Sequence, residues 1–254
     1  MTVAVALVDP PREGLVCDDL VEQTPLSAAD GAVLYDAMLA DFFATMAETN
    51  VDLLVNYPAA DDLPEGFREG DPEAEIRDVA ASVLDDEDLE QVRFEVQVGS
   101  NRAARIGNAI THLLRDEGAT SAALLDHRTP LLERSVVDEA AINLRRSETV
   151  VGPAADGQVY FAGFREPIDF ADVFCGSPIE NVVERSIDEG HTVDFVRRRE
   201  VVTHPRDLRT VVSLLRARRA ADSRVPSNTM RVVDDLGLRV ADGDLFVDGD
   251  TTDG

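Results

Sequence analysis

The stretch from Val3 to Val8, VAVALV, is an unbroken apolar run of strand length, and it restricts the fold more than any other feature of the chain. A strand with no polar residue on either face must be covered on both, as in a parallel sheet sandwiched between helices. The following segments repeat the alternation. Ser27 stands as a helix cap with Asp30 three residues on, and Leu34, Met38, Phe42 and Met46 follow at i+4 spacing on one face. VDLLVNY (Val51 to Tyr57) reads as the next strand, and Asp71 with Pro72 opens a helix carrying Ile76, Val79, Val83 and Leu84. RFEVQV (Arg93 to Val98) and SAALL (Ser121 to Leu125) are further strands, separated by a helix through Ile106, Ile110, Leu113 and Leu114. A βαβαβαβ series of this kind predicts a Rossmann-like, mostly parallel α/β sheet flanked by helices, with ligands beyond the carboxyl ends of its strands.

The second half is looser. It holds a turn-rich run leading into an apolar strand (VGPAADGQVYFAGF, Val151 to Phe164) and a helix from Pro178 to Glu189. A strand near Thr192 to Val196 and a helix from Pro205 to Ala220 bearing Leu208, Val211, Val212 and Leu215 follow. The sheet then has about seven strands. Residues 1–220 read as one domain and 221–254 as an appendage: a small helix or turn, a hairpin in LRVADGDLFV turning at Asp242 and Gly243, and a mobile acidic end.

Charge narrows the chemistry. The formal net charge is −26, from 50 acidic residues against 24 basic ones, and every basic residue is Arg. Self-repulsion of that size is tolerable where salt shortens the Debye length to a few Å, so a salt-rich cytoplasm is the expected setting. Without Lys there is no Walker loop, no Schiff base and no Lys general base. The acidic balance argues against a nucleic-acid partner, and the clusters Arg197 to Arg199 and Arg216 to Arg219 read as salt-bridge partners. Cys17 and Cys175 match no zinc spacing and make no disulfide framework. The opening MTVAVALVDPP has no basic lead, and its apolar run is too short to span a membrane.

Asp156 is the first site candidate. Pro153 fixes the backbone before it and Gly157 permits a positive φ after it, so the carboxylate stands on a shaped loop at a strand start. An ordinary Asp-Gly turn has the same signature. Neither Cys has a His in its local motif to favour a thiolate, and Ser100 in GSN and Ser177 in GSP lack a nucleophile elbow. His112 and His191 read as structural.

Five pieces in order carry a resemblance: DPPREGLVCDDL (Asp9 to Leu20), QVGSNRAARI (Gln97 to Ile106), LLDHRTPLL (Leu124 to Leu132), GPAADGQVYFAGF (Gly152 to Phe164) and THPRDL (Thr203 to Leu208). Together they resemble the glycosyltransferase-A-like family of unknown function in the nucleotide-diphospho-sugar transferase superfamily, relatives of molybdenum-cofactor nucleotidyltransferases and phospholactate guanylyltransferase. The likeness spans about Val3 to Leu215. It implies a nucleotide or nucleotide-sugar held over Pro11, Arg12, Gly14, Gly99, Asn101, Arg105 and Gly157, with Asp156 and Arg128 near the diphosphate in catalytic positions. It also implies Mg²⁺ or Mn²⁺ on carboxylates at the strand ends.

The departures fall on the phosphate and metal positions. Where the family pattern G-x-D-x-P has its Asp this chain has Arg128, where D-T-P-E-D-L begins it has Thr203, and where the first loop carries K-T-R it has Cys17, Asp18 and Asp19. Three readings follow. Arg128 supplies the positive charge itself, as a permanently charged guanidinium suited to phosphate. Alternatively Asp126, His127 and His204 rebuild a metal site with Asp156, favouring zinc, cobalt or manganese. Or these residues remain after catalysis was lost. The functional expectation is accordingly a nucleotide-sugar or nucleotidyl transferase relative with an altered metal site, the alternative being a silent ligand-sensing or partner-binding module on the same fold.

Overall fold

The computed structural model describes residues 1–247. Seven strands form one sheet: β1 (Thr2–Leu7), β2 (Asp52–Tyr57), β3 (Arg93–Val96), β4 (Ser121–Leu125), β5 (Thr149–Pro153), β6 (Val159–Phe164) and β7 (Val193–Phe195), in the order β3-β2-β1-β4-β6-β5-β7. Every neighbouring pair is parallel except the two that involve β6, which runs antiparallel to both β4 and β5. The mostly parallel α/β sheet expected from the apolar runs is therefore present, with a single reversed strand.

The helices are α1 (Asp18–Glu22), α2 (Ala28–Ala47), α3 (Pro72–Ala81), α4 (Asp86–Gln91), α5 (Arg102–Arg115), α6 (Arg134–Asn143), α7 (Pro178–Asp188), α8 (Pro205–Ala220) and α9 (Ser227–Asp235). Side chains alternate across a strand, and the two cores divide accordingly. Ala4 and Ala6 of β1 pack with Leu39, Phe43 and Met46 of α2, Ile76 of α3 and Val136 of α6, whereas Val3 and Val5 pack with Ile106 and Ile110 of α5 and Val182 of α7. Helix α2 opens with the capping box foreseen at Ser27 and Asp30. Its apolar positions do not share one face. Phe42 and Met46 meet the sheet, while Leu34 and Met38 turn outward into a third core with Leu208 and Val212 of α8 and Met230 and Val233 of α9.

The chain beyond 220 takes part in that third core. Asp41 of α2, buried, accepts hydrogen bonds from the backbone N–H of Asn228 and Thr229 (3.0 and 2.7 Å), the Asn228 amide and the Thr229 hydroxyl (3.1 and 2.6 Å). It thereby caps α9, whose own N-cap, Pro226, offers no side-chain acceptor. Strands β8 (Arg239–Ala241) and β9 (Asp244–Phe246) form the hairpin expected around Asp242 and Gly243, both at positive φ. The acidic end expected to be mobile covers residues 248–254, which lie outside the described residues.

Candidate functional site

A cavity of about 460 Å³ opens where the strand order changes direction, beyond the carboxyl ends of β1 and β4. Open α/β sheets bind ligands at such a crevice, because the connections on its two sides diverge there. The β1–α1 segment lines it with Asp9, Leu15 to Leu20, α2 with Tyr35, and α5 with Arg102. The end of β4 contributes Asp126 and Arg128, the β5–β6 hairpin Ala154 to Asp156, and the start of α8 Thr203, His204, Arg206 and Asp207.

Arg128 and Asp126 form the floor. The guanidinium donates from Nε (3.0 Å) and Nη2 (2.8 Å) to the two carboxylate oxygens of Asp126, and the Arg128 backbone N–H adds a third bond of 3.0 Å. Arg102 approaches the same carboxylate at 3.5 Å. Burial alone would raise the Asp126 carboxyl, but Arg128, aided by Arg102, outweighs it and holds Asp126 well below the usual carboxylate range. Beyond β4 the chain bends, and His127, between Asp126 and Arg128, does not line the cavity. His127 packs edge-on against Tyr35 (ring centroids 5.0 Å apart) and Phe42 (6.3 Å), its Nε2 buried without a hydrogen-bond partner. Burial, aided by repulsion from Arg128 and Arg102, pushes its pKa down to about 3 despite the Asp126 charge, so the ring is neutral.

Asp156 sits in the left-handed region (φ 51°) at the tip of the β5–β6 hairpin, next to Gly157 (φ 72°), and pairs with Arg206. The positive φ that the Pro-Asp-Gly pattern suggested is carried by both residues. Asp207 is committed to its own helix: its Oδ2 accepts from the backbone N–H of His204 (2.9 Å) and the hydroxyl of Thr203 (3.0 Å), capping α8. Asp9 is anchored through its main chain, whose N–H donates to the Tyr35 hydroxyl (3.0 Å) while its carbonyl accepts from that hydroxyl (3.1 Å). Desolvation in the cavity raises the Asp9 carboxyl although Arg128, Arg102 and Arg105 pull it down. The Cys17 thiol is pushed up to about 11, chiefly by burial, so it stays protonated.

None of the residues assigned to nucleotide binding by resemblance is among those that line the cavity. Arg12 turns away from the cavity, forking onto Glu75 (2.8 and 2.6 Å) and the carbonyl of Phe67. Pro11 and Gly14 belong to the same turn, where Gly14 has φ 73°. Asn101 caps α5 by accepting from the Ala104 N–H (2.9 Å), and Arg105 donates to the carbonyl of Gly99 (3.2 Å) and the side chain of Gln97 (2.9 Å). Gly99 admits no side chain, since a Cβ would lie 2.7 Å from the Arg105 nitrogen, and one on Gly157 would lie 2.8 Å from the Ser177 Oγ. What this framework delivers to the cavity is Arg102. Two signals in the sequence pointed to it: it opens a capped helix, and it lies three residues after Gly99 in the QVGSNRAARI segment that carries the family resemblance.

The metal positions can be tested against this donor set. Among the described residues, no three His, Cys, Asp or Glu side chains converge to hold an ion. Asp126 is enclosed by guanidinium, Asp207 caps a helix, His127 lies in the core, and His204 is left near Thr203, whose hydroxyl is 2.8 Å from its Nδ1. The arrangement does not fit the Mg²⁺ or Mn²⁺ that the resemblance implies.

The fold and its switch-point cavity define a Rossmann-like, mostly parallel α/β architecture with a ligand crevice beyond its strand ends. A family described as uncharacterized protein conserved in bacteria (DUF2064) matches residues 72–179, in accord with the resemblance read from the sequence motifs. Among solved structures, a protein provisionally described as a nucleotide-diphospho-sugar transferase from Desulfovibrio desulfuricans G20 is 22% identical, with a TM-score of 0.70 over 92% of this chain and 95% of that one. A cytidylyltransferase from Leptospira borgpetersenii is 10% identical, with a TM-score of 0.49 over 92% and 94%, and carries no further weight. No curated protein matches the chain by sequence. No helix among the described residues is long and apolar enough to cross a membrane.

Proposed function

We propose that this chain is a nucleotide-sugar or nucleotidyl transferase relative that holds its donor at the β1–β4 crevice, with Arg128 supplying the positive charge that a metal supplies in the wider family. The observation that carries this reading is the Arg128 guanidinium, locked by two hydrogen bonds to Asp126 on the cavity floor. A guanidinium held this way costs little reorganisation when a phosphate arrives, and charge on a leaving group is met by a fixed dipole or cation without a metal. Asp156, on the hairpin tip opposite, is placed to orient the acceptor. The experiment is thermal stabilisation in molar KCl by GTP, CTP, CMP-sugars, UDP-sugars and GDP-sugars, each with and without Mn²⁺. Saturable stabilisation that needs no Mn²⁺ and disappears in Arg128→Ala supports the reading; stabilisation that requires Mn²⁺ overturns it.

The silent-module reading has one observation in its favour. Both residues assigned to catalysis are neutralised by partners within the chain, Arg128 by Asp126 and Asp156 by Arg206. Ligand binding without transfer to any acceptor tried, and insensitive to Asp156→Ala, would favour that module over the enzyme.

A further inference from the structure

The cavity's charges limit how many phosphates its ligand can carry. Its lining contains six carboxylates, Asp9, Asp18, Asp19, Asp126, Asp156 and Asp207, against the three guanidiniums of Arg102, Arg128 and Arg206. Two of the three cations are committed. Arg206 pairs with Asp156, and Arg128 spends Nε and Nη2 on Asp126, leaving Nη1. Arg102 is held only at 3.5 Å by Asp126 and is half-exposed. One Arg128 nitrogen and the Arg102 fork supply enough donors for the oxygens of a single phosphate.

A second phosphate would find no uncommitted cation among the described lining residues. On the β1–α1 side the lining is Asp9, Cys17, Asp18 and Asp19, and the basic residue of that segment, Arg12, is turned away onto Glu75. On the hairpin and α8 side it is Asp156, Asp207 and His204, with Arg206 held by Asp156. Like charges brought together in a partly dehydrated site oppose binding strongly. Asp9 has no ion-pair partner or side-chain hydrogen bond among the described residues, so its carboxylate is open to accept from ligand hydroxyls.

We infer that the donor this cavity takes bears a single phosphate, as a nucleoside monophosphate joined through that phosphate to a sugar, so that a nucleoside monophosphate or a sugar monophosphate alone binds as part of it, and that the cavity rejects di- and triphosphates. This rests on the proposal that the crevice is the donor site. The test is calorimetric titration in molar KCl without divalent ions, using CMP, CDP, CTP, GMP, GDP, GTP and glucose 1-phosphate. Affinity should fall by about tenfold with each added phosphate. The nucleotide and sugar arms separate the two parts of that donor. In a variant combining Asp9→Asn, Asp18→Asn and Asp19→Asn, whose folding is checked by its melting transition, the order should flatten. Equal affinities, or triphosphates binding tightest in an Arg128-dependent manner, would overturn the inference while leaving the donor site in place. No binding of any of these ligands would remove both.

Discussion

Arg128 and His127 show how far a single position decides the site. Arg128→Ala leaves the buried Asp126 carboxylate without its principal counter-charge, and loss of one partner from such a pair costs about 3 to 5 kcal/mol. Urea denaturation should show that loss, and adding Asp126→Asn should recover much of the stability while ligand-induced stabilisation stays absent. His127 predicts a pH dependence of opposite origin. Its folded pKa, near 3, lies below the unfolded value of about 6.5, so between the two the unfolded chain binds a proton that the folded chain refuses. Its contribution to stability is full above about pH 6.5 and falls with acidification, by up to about 1.4 kcal/mol per pH unit. Denaturation at pH 5 and pH 7 should show a smaller difference in His127→Phe, which suits the pocket between Tyr35 and Phe42. The importance of Arg128 was legible in the motif offset. The direction of His127 was not legible, because it lies past the end of β4 where no strand period fixes a side, and grouping it with Asp126 and Arg128 by proximity in the chain hides that it packs against Tyr35 and Phe42.

At the scale of elements, glycine and capping positions hold the cavity's frame. Gly99 has φ 147° and no room for a Cβ beside the Arg105 N–H, so Gly99→Ala should displace the first turn of α5 and with it Arg102. Weaker ligand binding with a modest fall in Tm is the expected readout. Asp41→Ala removes four hydrogen bonds from the start of α9 and should cost about 2 to 3 kcal/mol, loosening the α9 layer first, as hydrogen exchange at Thr229 and Met230 would report. Most strands and the helices around Ile106 and Leu208 could be read from apolar period alone. Four elements could not, the short helices α1 and α4 being too brief for an apolar period to show. Helix α6 begins at Glu133 without a side-chain cap and mixes charged with apolar residues, and β5 merges in sequence with the GPAADG turn, so a hairpin read as one turn and one strand. The partner of Asp41 was hidden because a cap supplied from another helix leaves no local pattern.

For the whole molecule, a net charge of −26 on 254 residues makes stability depend on ionic strength. Raising KCl from about 0.1 M to about 1 M shrinks the Debye length from about 10 Å to about 3 Å, and Tm should climb steeply across that range before levelling off. A flat response would show that local pairs such as Glu133 with Arg199 and Arg218 already offset the repulsion. The fold class follows from the order of apolar runs, but the strand order and the reversal of β6 do not, because a local period carries no record of which neighbour a strand pairs with. That reversal has a consequence for how such a protein can change. A descending strand joined to its ascending neighbour by a few residues presents its tip at the ligand end without a helical crossover, so the tip at residues 155 and 156 can exchange chemistry while the layers beneath it keep their packing.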